Sequence, residues 1–103
     1  MATPEGKIKL LTKAFLKLHK IPNWSIIPSA FGATTGLADI ICITKTGLFV
    51  ALEIKADGKR KNITANQQKF LDTITANKGY AIVISCAEDL KEFEAWLKYR
   101  ELI

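Results

Sequence analysis

A chain of 103 residues has room for one domain around one hydrophobic core, and a 49% hydrophobic content excludes a disordered tail. Its 15 basic and 10 acidic residues leave a net charge of +5, a balance suited to a polyanionic partner. A single histidine, His19, excludes a histidine-based zinc centre and argues against a Ser-His-Asp triad.

The chain opens on Met1-Ala2-Thr3-Pro4-Glu5-Gly6-Lys7, which turns polar at once, and its apolar runs have strand length. A soluble, cytoplasmic protein without membrane contact is expected. Thr3-Pro4-Glu5 reads as an N-cap followed by proline at the first helical position. Ile8, Leu11, Ala14, Phe15 and Leu18 recur at helical spacing and predict an amphipathic helix over residues 4–19. Glu5 falls on the same stripe, where it serves the helix N-terminus and could also reach a site on the sheet. His19 ends this helix at a Lys-rich stretch, a position where a cation complements the helix dipole.

Trp24-Ser25-Ile26-Ile27 predicts a short strand stopped by Pro28. The small-residue segment from Ser29 to Gly36, with Thr34 and Thr35, reads as a connecting loop whose backbone could approach phosphates. Ile40-Ile41-Cys42-Ile43 and Leu48-Phe49-Val50-Ala51-Leu52 are strands joined by the tight turn Thr44-Lys45-Thr46-Gly47. The charged turn Asp57-Gly58-Lys59-Arg60-Lys61-Asn62 follows. Thr64 and Gln67 fit a capping box at the start of a helix over residues 65–77, with Gly79 as its C-terminal cap. Tyr80–Ile84 is a buried strand, and Ser85-Cys86-Ala87-Glu88 offers a second capping box before a last helix to about Arg100. Leu90, Phe93, Trp96 and Leu97 mark its core or interface stripe. Cys42 and Cys86 lie far apart, in or beside strands, and are expected as buried reduced thiols. The order α-β-β-β-α-β-α places the chain in the α/β class. It predicts a mixed central sheet flanked by helices, in a single domain over residues 1–103.

One spacing bears on chemistry. With Gly47 left-handed in a three-residue loop, Thr44 pairs with Leu48, and counting outward sets Asp39 opposite Glu53 on one face of the sheet. Lys55, two residues on, shares that face. Directly opposed residues have Cβ atoms roughly 4.5–5.5 Å apart, where like charges repel. Two carboxylates there call for a cation or a shared proton. A divalent metal with oxygen ligands meets that need, and without histidine or paired cysteine ligands the choice narrows to magnesium or manganese. The same residues also read as a strand start and a solvated sheet edge, because a one-residue change in the loop would send Glu53 to the other face. Lys59, Arg60 and Lys61, close behind the acids, are the better candidates for a nucleic-acid contact; the lysines of the first helix read as a solvated face.

The segments Gly36-Leu37-Ala38-Asp39-Ile40-Ile41, Ala51-Leu52-Glu53-Ile54-Lys55-Ala56 and Gln67-Gln68-Lys69-Phe70-Leu71, in this order and on this topology, resemble the PD-(D/E)xK nuclease superfamily. Within it the chain resembles a stand-alone VRR-NUC domain of the phage and bacterial type. Ala38 stands where that family has a proline, a backbone-shaping position that supplies no ligand. Gln67 is matched in preference to Gln68 because it precedes the aromatic Phe70 by three residues.

The resemblance implies a restriction-endonuclease-like αβββαβα core and a metal-dependent DNA endonuclease. Asp39, Glu53 and the Ile54 backbone carbonyl would hold Mg²⁺ or Mn²⁺, with Glu5 reaching it through water. Lys55 would orient or deprotonate the attacking water or stabilise the transition state, and Gln67 would position Lys55 or the water. Products would carry 5′-phosphate and 3′-hydroxyl ends. Stand-alone members resemble homodimeric Holliday-junction resolvases, so branched DNA and a second copy of the chain are the expected partners. A less selective nickase or flap nuclease of the same fold, and a binding module without turnover, are the alternatives.

Overall fold

The computed structural model describes residues 3–26 and 36–103. Its elements are α1 (Pro4–Leu18), β1 (Asn23–Ser25), β2 (Ile40–Ile43), β3 (Phe49–Ile54), α2 (Ala65–Ala76), β4 (Tyr80–Ile84) and α3 (Ala87–Tyr99). The four strands form one sheet in the order β1-β2-β3-β4, antiparallel at the first two pairings and parallel between β3 and β4. This is the mixed α/β sheet that the element order requires, with α2 as the crossover between the parallel strands.

Alternation along the strands divides the hydrophobic interior in two. Ile40, Cys42, Val50, Leu52, Ile54, Ile82 and Ile84 face α1 and α3, where they pack with Leu16, Leu90, Phe93 and Leu97. The intervening residues face α2, where Ala38 and Ala51 meet Leu71. Glu53 belongs to this second face. The β2–β3 turn closes as the loop length dictates: Thr44 N–H donates to the Leu48 carbonyl at 3.0 Å, and Gly47 takes φ +84°. Ile40 pairs with Leu52 and Ile43 with Phe49, so Asp39 continues the ladder opposite Glu53.

Several local expectations are corrected. The buried stripe of α1 runs through Ile8, Thr12, Phe15 and Leu16, while Leu11 and Leu18 are exposed and Ala14 points outward. Thr12 can take a core position because its hydroxyl donates to the Ile8 carbonyl at 2.8 Å. The first strand spans Asn23–Ser25, one residue earlier than expected; Ile27 and the loop bearing Thr34 and Thr35 lie outside the described residues. Asn77 is the C-cap of α2, and the left-handed residue after it is Lys78 (φ 69°), not Gly79. Gly79 answers a need for space: a Cβ there would lie 2.7 Å from Ile74 Cγ2 and 2.8 Å from the Phe49 carbonyl.

The second capping box does not form. Cys86 is the N-cap residue of α3, but its side chain makes no capping bond. Asp89 in the first turn instead accepts from the Ser85 N–H at 2.8 Å and the Ser85 hydroxyl at 2.9 Å. Both cysteines are free, Cys42 buried and Cys86 half-buried. Burial pushes the Cys42 thiol up to about 12, against a smaller pull from Lys13, which makes it inert. His19 is the C-cap residue of α1, with its Nε2 3.4 Å from Glu94 Oε2. No helix among the described residues is long and apolar enough to cross a membrane.

Candidate active site

β3 carries the centre of the site. Along this strand main-chain groups alternate in direction. The Lys55 N–H donates to the Ile84 carbonyl on the β4 side at 3.0 Å, while the Ile54 N–H turns the other way, to Asp39 Oδ2 at 2.8 Å. The Asp39 carboxylate thus takes the place of a main-chain acceptor at the end of β2. That bond fixes its position without reliance on a side-chain neighbour. The Ile54 carbonyl, which in an extended strand points the same way as its own N–H, lies on the Asp39 side.

Glu53 is 2% exposed. Its Oε1 accepts from Gln67 Nε2 at 3.1 Å and sits 4.0 Å from Lys55 Nζ. Its Oε2 is buried and has no hydrogen-bond donor among the described residues. Asp39 stands across the strand pair from Glu53, and two carboxyl groups so placed call for a shared proton or a cation. Burial first, then the contact with Asp39 and its charge, push the Glu53 carboxyl up to about 8; Lys55 opposes this and Glu5 adds slightly to it. The opposition of acids expected from the register is therefore real, and its electrostatic cost falls on Glu53.

Gln67 forms the expected capping box and also touches Lys55 and Glu53. Its N–H donates to Thr64 Oγ1 at 3.1 Å, and its Oε1 accepts from the Thr64 N–H at 2.9 Å, which completes the capping box. The same Oε1 accepts from Lys55 Nζ at 3.3 Å, while Nε2 reaches Glu53. This amide orientation is the one the neighbours permit, since the reverse would set an NH₂ against two donors. The α2 N-terminus is thereby bolted to the sheet at the site. Gly36 is held there too: with φ +81°, a Cβ on it would come within 2.7 Å of the Asn66 backbone. The segment leading to Asp39 packs directly on the first turn of α2.

Glu5 differs from expectation. It is exposed rather than on the inward stripe, on the helix that covers the opposite face of the sheet. Its charge nevertheless reaches Glu53, so it borders the site from the side. Lys59 and Lys61 are exposed on the turn after β3. Arg60, expected beside them as a nucleic-acid contact, is tied down: one guanidinium nitrogen donates to the Val83 carbonyl at 3.0 Å and to Asp89 Oδ1 at 2.5 Å. Burial opposes ionisation of Asp89, but the two Ser85 bonds, Arg60 and Cys86 outweigh it and hold the carboxyl below its usual range. Arg60 thus fastens the basic turn to β4 and α3. Composition counts its charge but not its partner, so Asp89 was not legible as that partner, and Ser85 reads as part of a capping box with Glu88; an acid three residues into a helix is the signal that points to Asp89.

The fit of a metal ion rests on Glu53 Oε2, a buried acceptor without a donor among the described residues, beside the carboxylate of Asp39. Among the described residues no three His, Cys, Asp or Glu side chains gather into one ligand cluster. Asp39, Glu53 and the Ile54 carbonyl make a smaller, all-oxygen set. That suits a hard cation that keeps several waters, such as Mg²⁺ or Mn²⁺. No protein family model, curated protein or solved structure matches the chain. The function must therefore be argued from these atoms.

Proposed function

We propose that this protein is a Mg²⁺- or Mn²⁺-dependent endonuclease that hydrolyses DNA phosphodiester bonds with chemistry of the PD-(D/E)xK type. Its resemblance to stand-alone VRR-NUC domains favours a four-way junction as substrate and a homodimer as the working form, in the cytoplasm of a bacterial or phage-infected cell. The observation that carries this reading is the buried Glu53 carboxyl. It opposes Asp39 with one oxygen unmatched, and Lys55 and Gln67 converge on the other.

Asp39, Glu53 and the Ile54 carbonyl would hold the cation. When bound, it supplies positive charge that acidifies a water and offsets the charge gathering on the scissile phosphate. Lys55 presents its ammonium at the rim of the carboxylate pair, where it can orient the water and hold a non-bridging phosphate oxygen. Gln67 keeps Lys55 and Glu53 in register by bonding both. Lys59 and Lys61 offer positive charge to the flanking backbone, a contact that is sequence-independent and salt-sensitive.

The test is cleavage of labelled four-way junction, flap and linear duplex DNA with Mg²⁺, Mn²⁺ or EDTA. Metal-dependent cutting is expected, lost in Asp39→Asn and reduced by about 10²–10⁴-fold in Lys55→Ala, with DNA binding retained. Cutting without junction preference would make the protein a nickase or flap nuclease. Binding without any cutting would leave a nucleic-acid-binding module and remove the catalytic reading.

A further inference from the structure

Taking the site to be a nuclease centre, we propose that Trp24 is a stacking platform for an unpaired base, which selects DNA whose strands are open beside the site. Trp24 pairs with Ile41, and Ile41 with Ala51, which packs under α2. The indole therefore stands on the α2 face of the sheet, the face that carries Asp39 and Glu53. Its neighbour Asn23 points the other way, to Lys13 of α1. The Ile26 N–H donates to the Asp39 carbonyl at 2.8 Å, which extends the same register and makes Trp24 the diagonal neighbour of Asp39. Diagonal neighbours lie about 7–8 Å apart, within reach of an aromatic side chain. α2 lies over β3 and β4, and at the β1 end of the face Trp24 is 53% exposed. It stacks on no other described ring, whereas Trp96 lies 4.0 Å from Tyr80 and carries the Arg100 guanidinium over its face. The other exposed large apolar side chains, Leu10, Leu11, Leu18 and Tyr99, belong to α1 and α3, across the sheet from the site.

The position of the ring selects its occupant. A phosphate held at Lys55 brings the bases of its own nucleotides to the surroundings of the carboxylate pair. A flat apolar ring one diagonal step away meets a base there. Inside a duplex each base already has a neighbour on both faces, and none is free for the indole. An unpaired base has a face to give, and any of the four serves, because stacking reads the π-face and not the edge. Charge on the same strand agrees with this. The Lys13 ammonium rests on Asn23 Oδ1 at 2.8 Å and has no carboxylate partner among the described residues, so it sets a positive charge at β1 for the phosphates of a passing strand. The pairing of β1 with β2 fixes the backbone that bears the ring, which lowers the ordering cost when a base arrives. Trp24 would thus act on substrate choice, while the acids and Lys55 act on the bond.

The test is made in EDTA, where nothing is cut. Trp96→Phe leaves Trp24 as the one tryptophan, and its emission is followed as a short thymidine oligonucleotide or a blunt duplex of equal length is added. The single strand should quench the emission, and the duplex should do so far less at the same concentration. In the chain with Trp96 intact, Trp24→Leu should bind a dye-labelled oligonucleotide about 5- to 150-fold more weakly by anisotropy, the range expected for one stacked base. Trp24→Tyr, which restores a ring, should bind within a few-fold of wild type, and thermal melts should show both variants folded. Equal quenching by duplex and single strand, tight binding by Trp24→Leu, or no rescue by Trp24→Tyr would each overturn the proposal. So would an emission that no nucleic acid changes, the result expected of a surface made for a protein. A chain that cuts DNA without any quench keeps the nuclease reading and loses this one; a chain that quenches and never cuts does the reverse.

Discussion

At the scale of single residues, Glu53 carries the most consequence. Its folded-state carboxyl titrates at about 8 against 4.5 in the open chain, so between those values the unfolded chain binds fewer protons than the folded one. Stability of the metal-free protein should therefore fall as pH rises from about 5 to 8 and then level off. Thermal melts across that range should show the decline, and Glu53→Gln should flatten it. Mn²⁺ should raise the wild-type melting temperature most at the alkaline end, where the carboxyl is ionised, and leave Glu53→Gln unmoved. Asp39→Asn is a gentler probe. Its amide oxygen can still accept the Ile54 N–H, so the fold should stand while cleavage is lost. The opposition of these two acids was legible in the sequence because a hairpin loop of fixed length sets the register of everything beyond it. The unmatched Oε2 was not legible, since burial at that spot depends on how α2 lies over the sheet.

At the scale of elements, capping and site-building coincide at the start of α2. Thr64→Ala removes the acceptor of the Gln67 N–H and should cost about 1 kcal/mol by denaturant titration. It should also loosen Gln67 from Lys55 and Glu53, so cleavage should fall by more than the stability loss explains. Arg60→Ala gives the opposite pattern. Losing its bonds to Val83 and Asp89 should lower the melting temperature, whereas Lys59→Ala and Lys61→Ala should spare stability and each reduce the salt dependence of DNA binding by about one charge. The spans of the helices and of β2 and β4 were readable from periodicity and caps, whereas β3 runs on to Ile54, so that Glu53 lies inside the strand. The inward face of α1 was not, because apolar residues lie on two of its faces and Thr12 hides its hydroxyl in the helix itself. Leu10, Leu11 and Leu18 are left exposed in its place.

At the scale of the molecule, two separate cores hold the sheet, and the site sits on the thinner one. The α1–α3 side encloses Phe93, Leu16 and several branched residues, while the α2 side rests on Ala38, Ala51 and Leu71. Phe93→Ala should cost about 3–5 kcal/mol and unfold the chain at moderate temperature, as followed by circular dichroism. Changes under α2 should cost less stability and more activity. The mixed sheet was legible from the helix between two strand runs, whereas the strand order was not, because periodicity does not say on which side of β3 the crossover returns.

The bond from the Ile54 N–H to the Asp39 carboxylate has a consequence for the life of the chain before it is finished. The acids, the lysine and the glutamine come from three segments that meet only when β2, β3 and α2 have closed on one another. A nascent or misfolded chain therefore lacks the assembled site, however much of its sequence it carries. The chemistry proposed for this site is withheld until folding is complete, and lost as soon as folding is undone.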